Sequence, residues 1–351
     1  MKYYACFILI IIVLSLSKAV AEDPSIIHAK LASAEIEGDL MTVWSRKFAN
    51  YMQKTTNSKF DLTVYPYGTI GSSMNINQLC QLGTIDFVFA GAAYLGAFVP
   101  EVDLINIHYL WPRKDIDKIL KYIIDDGHFY KMLTKSFQDR GLYPLSIFFE
   151  GWQWVTSKAP IVHLRDIRNQ KIRVMSSKML IEQYKIYGFS PTTMDYGEIY
   201  SSLQTGVLDA QVQPMFANYS MKFYEVTSNF TQMWAEPFLG IPVVNNKFFQ
   251  SLPASIKEKI LNFWHNEITP SYLWINKKNL DDKKKIKLKN PNVQYFTFTD
   301  NDINQAKKLI NKKLENNIDT IITPQAKEML PVLKYDIKNA VEKIKKENTK
   351  K

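Results

Sequence analysis

The chain has 351 residues, with 44 Lys and Arg against 34 Asp and Glu and 46% hydrophobic residues. This length suggests two domains, and the composition excludes a collagen-like, coiled-coil or multi-span membrane protein. The net charge of +10 is too small for disorder driven by charge alone. The sequence therefore predicts a folded protein whose core is large enough to need no disulfide or metal.

A long apolar run lies near the amino terminus, over residues 5–16. It follows Lys2, precedes the small residues Ala19-Val20-Ala21, and is shorter than the roughly 20 residues that a membrane span needs. These features predict a secretory signal peptide over residues 1–21, cleaved near Ala21, with an uncleaved anchor helix as the alternative. Cleavage leaves Cys80 as a single thiol, so no internal disulfide is expected.

Positive charge is concentrated in two lysine-rich segments, residues 277–290 and 301–351. Such runs bind nucleic acid or anionic lipid in some proteins. These runs lack the interleaved arginine and aromatic residues that base stacking uses, so we interpret them as solvated surface and expect no nucleic-acid partner.

Helix-like and strand-like segments alternate along the chain. In the first half, apolar spacing predicts helices over 40–51, 74–82 and 115–124 and strands over 62–66, 84–91 and 145–150. In the second half it predicts strands over 171–175 and 207–214 and helices over 178–187, 254–265, 302–316 and 326–346. This alternation is typical of α/β proteins with mostly parallel sheets.

Two short features refine this organisation. Asp195 and Glu198 have the spacing of a capping box, which predicts a helix start, and Gly206 ends that helix. The pattern Q-x-G-x-[IL]-D occurs at residues 81–86 and again at 204–209, each time at a predicted helix-to-strand junction. The repeat favours two similar α/β lobes with a ligand cleft between them, at the carboxyl ends of the strands.

No motif of enzyme chemistry is present in the sequence. There is no G-x-S-x-G elbow, Walker loop or G-x-G-x-x-G, and the five histidines never fall at metal-ligand spacing. The sequence therefore favours binding over catalysis, with no metal and no cofactor.

Arg173 is the residue that most needs an explanation. It lies inside the apolar strand KIRVM, where a buried guanidinium must meet an anion. Two interpretations remain open: a structural pair with a buried Asp or Glu, or a bidentate site for a ligand carboxylate.

The order of these segments resembles the extracytoplasmic solute-binding proteins of TRAP (tripartite ATP-independent periplasmic) transporters. The similar segments include LTVYPYGTIG, LGTIDFVFAG, VPEVDLINIHYLWP, KIRVM and GFSPTTMDYGEIYSSLQTGVLDAQVQP. The resemblance implies a two-lobed α/β fold with a cleft between the lobes, crossing strands and a long helix over the back. It divides the chain into lobe I, residues 22–150 plus 237–279, and lobe II, residues 151–236 plus 280–351, which includes the C-terminal helices.

The resemblance also implies a function. It predicts a periplasmic, monomeric protein that captures an organic anion and delivers it to inner-membrane TRAP transporter subunits, without catalysis. The alternatives are a ligand-binding subunit for a signalling receptor, an exported enzyme on a two-lobed fold, or an adhesive surface protein.

The residues of the predicted site follow from the family pattern. Arg173 stands at the position of the family's carboxylate-binding arginine. Gln153 stands where members commonly carry a second arginine, and Gln213 where many carry asparagine. The loss of a second cation predicts a monocarboxylate ligand rather than a dicarboxylate. The other expected site residues are Glu35, Tyr94, Trp152 and Phe216.

Overall fold

The structure, a computed structural model, describes residues 26–349. The predicted signal peptide, residues 1–21, and its cleavage site lie outside this range. No helix in the described range is long and apolar enough to cross a membrane.

The described chain forms twelve strands and thirteen α-helices. Strands β1 to β12 span Ile27–Ser33, Phe60–Tyr65, Phe87–Gly91, Leu142–Pro144, Phe148–Trp152, Trp154–Ser157, Lys171–Val174, Ser190–Thr193, Ala210–Gln213, Asn229–Gln232, Pro237–Asn245 and Gln294–Thr297. Helices α1 to α13 span Leu40–Thr55, Ser73–Leu82, Ala92–Leu95, Ile116–Asp125, Phe129–Gln138, Lys178–Tyr187, Ile199–Thr205, Met215–Ser220, Asn246–Ser251, Ala254–Asn266, Ile268–Lys289, Asp300–Ile321 and Pro324–Thr349.

The strands form two sheets, each the centre of one lobe. The first sheet has the order β2-β1-β3-β11-β4, and β5 also pairs with β11. The second has the order β12-β10-β6-β9-β7-β8. We call the first sheet with its helices the first lobe, and the second sheet with its helices the second lobe.

Both sheets mix parallel and antiparallel pairs, so the prediction of mostly parallel sheets is wrong. Strands joined by helices run parallel, as β1 does with β2 and β3, and β7 with β8 and β9. However, β11 comes back from the second lobe and runs against β3, β4 and β5, and β6 enters from the first lobe and runs against β9 and β10. The strands that cross between lobes are thus the antiparallel ones.

Three connections join the lobes. Gln153 separates β5 from β6, and residues 233–236 separate β10 from β11. The third is α11, which packs on β5 and α4 of the first lobe and on α8 of the second. The proposed lobe boundaries stay a prediction.

The last two helices pack on different lobes. Helix α12 contacts α6 of the second lobe, whereas α13 contacts α4 and α5 of the first. The sequence prediction placed all of residues 280–351 in lobe II, but α13 packs on the first lobe. Asp336 of α13 contributes to this contact, because its carboxylate accepts the backbone amides of His128 and Phe129 at 2.7 Å each, at the start of α5.

Candidate functional site

A small cavity lies where the carboxyl ends of strands from both sheets meet. Ligands of open α/β sheets bind at this edge. First-lobe residues lining the cavity are Ala34, Glu35, Met41, Gly91, Tyr94 and Phe238, and second-lobe residues are Met175, Tyr196, Gln213, Phe216 and Ala217.

Arg173 lies on β7 beside this cavity and is fully buried. Its Nε and Nη2 each donate to the Met194 carbonyl at 3.1 Å, and Nη2 also donates to the Tyr94 hydroxyl, which belongs to the cavity wall. Its Nη1 has no hydrogen-bond partner. Within residues 26–349 Arg173 makes no salt bridge, so the structural ion pair considered from the sequence is not formed there.

Glu35 forms part of the cavity wall on the first lobe. It follows β1, and its Oε2 accepts the backbone amide of Met41 at 2.7 Å, in the first turn of α1. Its Oε1 is buried and has no hydrogen-bond partner. One oxygen therefore holds the helix start, and the Glu35 carboxyl is also within hydrogen-bonding reach of Glu150.

Two further acids lie near Glu35. Glu150 on β5 is fully buried, neither of its carboxyl oxygens has a partner, and it is within hydrogen-bonding reach of Glu35. Gly240 on β11 leaves room for Glu150, because a Cβ at position 240 would overlap Oε1 of Glu150. Asp39 is also buried, and its Oδ1 lies 3.3 Å from Nζ of Lys278 on α11. Lys278 belongs to a lysine run interpreted from the sequence as solvated surface, an interpretation that is wrong for this residue.

Burial changes the protonation of these acids. Loss of solvation, and then the charge of Asp39, raises the pKa of Glu35 from 4.5 to about 8. Loss of solvation, opposed by Lys278, raises the pKa of Asp39 to about 6. Burial, and then the neighbouring Glu35, raises the pKa of Glu150 well above its usual value. The Glu35–Glu150 pair therefore retains a proton near neutral pH.

Aromatic side chains supply much of the remaining wall. Phe216 lies in the first turn of α8, and its amide donates at 2.8 Å to Oδ1 of Asn279 on α11. Asn279 donates in turn to the Glu150 carbonyl at 2.9 Å, so one α11 residue ties the two lobes together behind the cavity. A larger residue in place of Gly91 would clash with the cavity wall, because a Cβ there would lie 2.9 Å from the Phe238 ring.

Hydrogen bonds join the two lobes through residues next to Tyr196 of the cavity wall. The Tyr67 hydroxyl of the first lobe donates to the Asp195 carboxylate of the second and accepts the Gly197 amide at 2.7 Å. Asp195 Oδ2 also accepts the Ser73 amide, at the start of α2, at 3.1 Å. We call this group the Tyr67–Asp195 latch. The capping box of Asp195 and Glu198 is confirmed, but its role across the cleft was not predicted.

A wider groove lies elsewhere, between α12 and α13. Its floor is apolar and includes Leu314 and Ile318 of α12 and Leu330 and Ile337 of α13, with lysines at its rim. Its lining also includes His108 and Tyr109, whose Nε2 and hydroxyl oxygen are buried and have no hydrogen-bond partner, although Nε2 of His108 lies 3.3 Å from Oε1 of Glu236.

The structure brings most of the predicted site residues together. Glu35, Tyr94, Gln213 and Phe216 line the cavity, and Arg173 joins it through Tyr94. Gln153 and Trp152 do not line it. Gln153 lies buried at the crossing between lobes with both amide atoms unpartnered, and Trp152 packs against Trp234 with ring centroids 5.7 Å apart.

Among the residues of this region that the sequence analysis did not select are Glu150, Met175, Tyr196 and Phe238. A signal existed for Glu150, because an acid within the apolar strand segment LSIFFE raises the same question as Arg173 within KIRVM. For the other three, apolar and aromatic residues in a globular chain are ordinary core residues and carry no such signal.

Two α/β lobes with a cavity between them, lined by residues of both, define a two-lobed protein with a candidate ligand site in the cleft. The sequence comparisons identify the family. Residues 34–319 match the family described as bacterial extracellular solute-binding protein, family 7. The chain belongs to this family, whose members are the solute-binding proteins of TRAP transporters.

Individual relatives agree with this assignment. The chain is 32% identical over 233 residues to the ectoine/5-hydroxyectoine-binding periplasmic protein UehA of Ruegeria pomeroyi, covering 66% of this chain and 68% of that protein. It is 29% identical to the ectoine-binding periplasmic protein TeaA of Halomonas elongata, covering 88% and 89%. The solved structure of the ectoine-binding protein of the Halomonas elongata TeaABC TRAP transporter matches with a TM-score of 0.83 over 89% of this chain and 99% of that one, at 29% identity.

A structure from Desulfovibrio salexigens with bound orotic acid also matches, with a TM-score of 0.83 and 26% identity, over 89% of this chain and 99% of that one. The family consists of binding proteins that serve membrane transport, so this chain is a transport protein and not an enzyme.

Proposed function

We propose that this protein captures a small solute with one carboxylate in the periplasm and delivers it to the membrane subunits of a TRAP transporter. Nη1 of Arg173, a buried cationic donor without an acceptor, is the observation that carries the proposal. A buried donor left unpaired costs about 1–3 kcal/mol, and more when it is charged. A ligand carboxylate would remove this cost and gain a charge-assisted hydrogen bond.

The opposite charge on the first lobe argues for a single carboxylate. Glu35 lines the cavity, and Glu150 and Asp39 lie near it. The residues that line the cavity include no lysine or arginine, and Lys278 is already engaged by Asp39 and Asp282. A second ligand carboxylate would therefore face acids without a free cation, which disfavours dicarboxylates.

The relatives support a small carboxylate but do not select one. Their names specify ectoine, 2,3-diketo-L-gulonate and C4-dicarboxylates. The ligand class is therefore argued from the cavity of this chain. Periplasmic location is supported by the periplasmic relatives and by the predicted signal peptide. A monomeric state and cleavage near Ala21 remain part of the proposal.

Three four-carbon compounds test the ligand class, because they share one carboxylate and differ only at the other end: 4-aminobutyrate, 4-hydroxybutyrate and succinate. Titration calorimetry on the purified protein, after native mass spectrometry has shown that no ligand is carried over, gives each dissociation constant. We expect succinate to bind about tenfold more weakly or worse than the tighter of the other two, a difference of about 1.4 kcal/mol.

Ectoine and orotate extend the panel towards the ligands named for the relatives. Succinate binding as tight as that of the single carboxylates would contradict the single-carboxylate proposal. Failure of every carboxylate, with no small molecule retained by the purified protein, would contradict solute binding through Arg173.

A further inference from the structure

The outer face of helix α11 exposes three leucines in a line. Leu273, Leu280 and Leu288 have 64%, 63% and 81% of their surface exposed. They are spaced by seven and eight residues, close to two turns of an α-helix, so they lie on one side of it. Ile275 and Ile286, which are buried, lie on the opposite side. The leucines therefore form an apolar line that the packing of α11 on the two lobes does not cover.

Lysines alternate with these leucines on the same side of the helix. Lys277 lies four residues after Leu273, Lys284 lies four residues after Leu280, and both lysines are exposed. We call Leu273, Lys277, Leu280, Lys284 and Leu288 the leucine–lysine stripe. At a rise of about 1.5 Å per residue the stripe is roughly 22 Å long. It is therefore an extended surface feature rather than one exposed side chain.

The charge of this helix is strongly positive, with seven lysines against two aspartates. Asp282 is fully buried and pairs with Lys278 and Lys285. Asp281 is partly exposed, and its carboxylate lies 4.0 Å from Nζ of Lys284. The exposed part of α11 thus keeps a net positive charge, which is complementary to a negatively charged occupant.

We propose that the leucine–lysine stripe docks the protein on an anionic lipid surface. Helices that lie on a membrane place leucines at the boundary between headgroups and acyl chains and direct lysines to anionic headgroups. A lysine stem covers apolar surface while its ammonium group stays among the headgroups, so leucines and lysines can alternate along one contact line.

Two other occupants fit the stripe less well. A second copy of the chain would bring the lysines of one stripe against those of the other, and like charges across an interface repel. The cores of protein interfaces are depleted of lysine, whereas here a lysine stands between each leucine and the next. An anionic lipid surface accommodates both residue types at once.

The stripe is separate from the solute cavity. The residues of the described chain that line the cavity include none of its five members. Asn279 of the same helix faces the lobes instead, where it bonds to Phe216 and to the Glu150 carbonyl. Lipid and solute are therefore bound at different surfaces, and docking does not depend on which solute the protein carries.

Co-sedimentation of the purified protein with vesicles tests the proposal. Binding should be about tenfold or more tighter to phosphatidylethanolamine vesicles with about 30% phosphatidylglycerol than to neutral phosphatidylcholine vesicles. Raising NaCl from about 0.1 M to about 1 M shortens the screening length from about 10 Å to about 3 Å and should release the protein. Equal binding to both kinds of vesicle, or binding that persists at the higher salt concentration, overturns the proposal.

Replacing the leucines tests the apolar part of the contact. The triple variant Leu273→Gln, Leu280→Gln, Leu288→Gln keeps good helix formers at exposed positions and should bind anionic vesicles about tenfold more weakly or worse. The matched control replaces three other exposed apolar residues, Leu82→Gln, Val207→Gln and Tyr335→Gln, whose exposed fractions are 71%, 57% and 61%. It should bind like the unmodified protein, and circular dichroism monitors the fold of both.

Replacing the lysines tests the charge. Lys277→Gln with Lys284→Gln should weaken vesicle binding about fivefold for each lysine removed. Lys308→Gln with Lys312→Gln, at exposed positions of α12, is the matched control and should have a smaller effect. All variants share one amino terminus, so any contribution of residues 1–21 is common to them.

Unchanged vesicle binding in either stripe variant overturns the proposal. So does a dimer, seen by light scattering, that the leucine variant dissociates while no vesicle binds, since a second copy is then the occupant. Binding only to vesicles that carry the transporter subunits overturns it in favour of a protein partner. Calorimetry with the carboxylate panel should give the same dissociation constants for the stripe variants as for the unmodified protein, so failure of lipid docking leaves the proposed function intact.

Discussion

The two lobes bury opposite charges beside the same cavity, and they do so differently. Arg173 is held by the Met194 carbonyl and the Tyr94 hydroxyl, and one of its nitrogens is left over. Glu35 is held by one amide, and Glu150 near it has no partner for its carboxyl. A guanidinium stays charged at every physiological pH, whereas a carboxyl can take up a proton.

This difference separates two properties of a binding site. The arginine side has a fixed charge, which supplies affinity for any carboxylate that reaches it. The acidic side has a charge that depends on pH, because burial raises the pKa of Glu35 to about 8. The following experiments change the arginine side, the acidic side and the contacts between the lobes in turn.

The largest expected effect comes from removing the fixed charge. Arg173→Met should weaken binding of the tightest carboxylate by about 2–5 kcal/mol, roughly 30-fold to several thousandfold, because the carboxylate loses a desolvated charged partner. Calorimetry gives the dissociation constants, and circular dichroism monitors the fold. Arg46→Met, which removes an exposed arginine paired with Glu37, is the matched control and should bind normally.

Arg173→Lys is a second variant that keeps the charge but loses the planar donor set. It should fold and still bind more weakly than the unmodified protein. Unchanged binding in either Arg173 variant would show that the carboxylate is held elsewhere.

A smaller effect is expected on the free energy of unfolding when the charge of Glu35 is removed. In the ligand-free protein the pKa of Glu35 is about 8, above its usual 4.5, so the folded state binds more protons between these values. The free energy of unfolding should therefore fall as the pH rises from about 4.5 to about 8, by at most on the order of 5 kcal/mol.

Urea unfolding at a series of pH values measures this slope. Glu35→Gln should flatten it, whereas Glu37→Gln should retain it because Glu37 is exposed and its pKa is lowered by Arg46 rather than raised. An unchanged slope in Glu35→Gln would mean that Glu35 is already ionised in the empty cleft.

The smallest effect concerns the Tyr67–Asp195 latch, which joins the two lobes. Tyr67→Phe removes the hydroxyl that bonds to Asp195 and Gly197, contacts worth about 1 kcal/mol each in net free energy. Ligand should leave about five- to thirtyfold faster, since the closed form loses this stabilisation. Stopped-flow fluorescence measures the rate, and Tyr65→Phe on β2 is the control. An unchanged rate would show that the latch does not limit opening.

The sequence predicts the arginine side better than the acidic side. Arg173 was identified because a charge inside a short apolar strand has few explanations, and Glu35 by its position in the family pattern. Glu150 was interpreted as part of a strand, since the pairing of Glu35 with Glu150 is a tertiary contact that no spacing reveals. The same holds for Tyr67 and Asp195, which are 128 residues apart in the chain.

The prediction of helices from the sequence has a similar limit. Helix α6 has the predicted bounds, residues 178–187, because Ser177 caps its start and Gly188 ends it in a left-handed conformation. Helix α11 was not predicted from periodicity, because two of its five buried positions are Ser271 and Asp282. Polar residues at buried positions hide the apolar period that marks a helix, and their partners are visible only in three dimensions.

Helix α12 packs on the second lobe and α13 on the first. The distance between these two C-terminal helices should therefore depend on how far apart the lobes are. When the lobes separate, each helix must travel with the lobe that carries it, so the short link at Ile322 and Thr323 has to absorb the rotation. The distance between the two helices then reports whether the cleft is open, on a surface formed by residues other than those that line the solute cavity. A pair of fluorophores on exposed residues of these helices would read the opening and closing of the protein without altering any group that touches the solute.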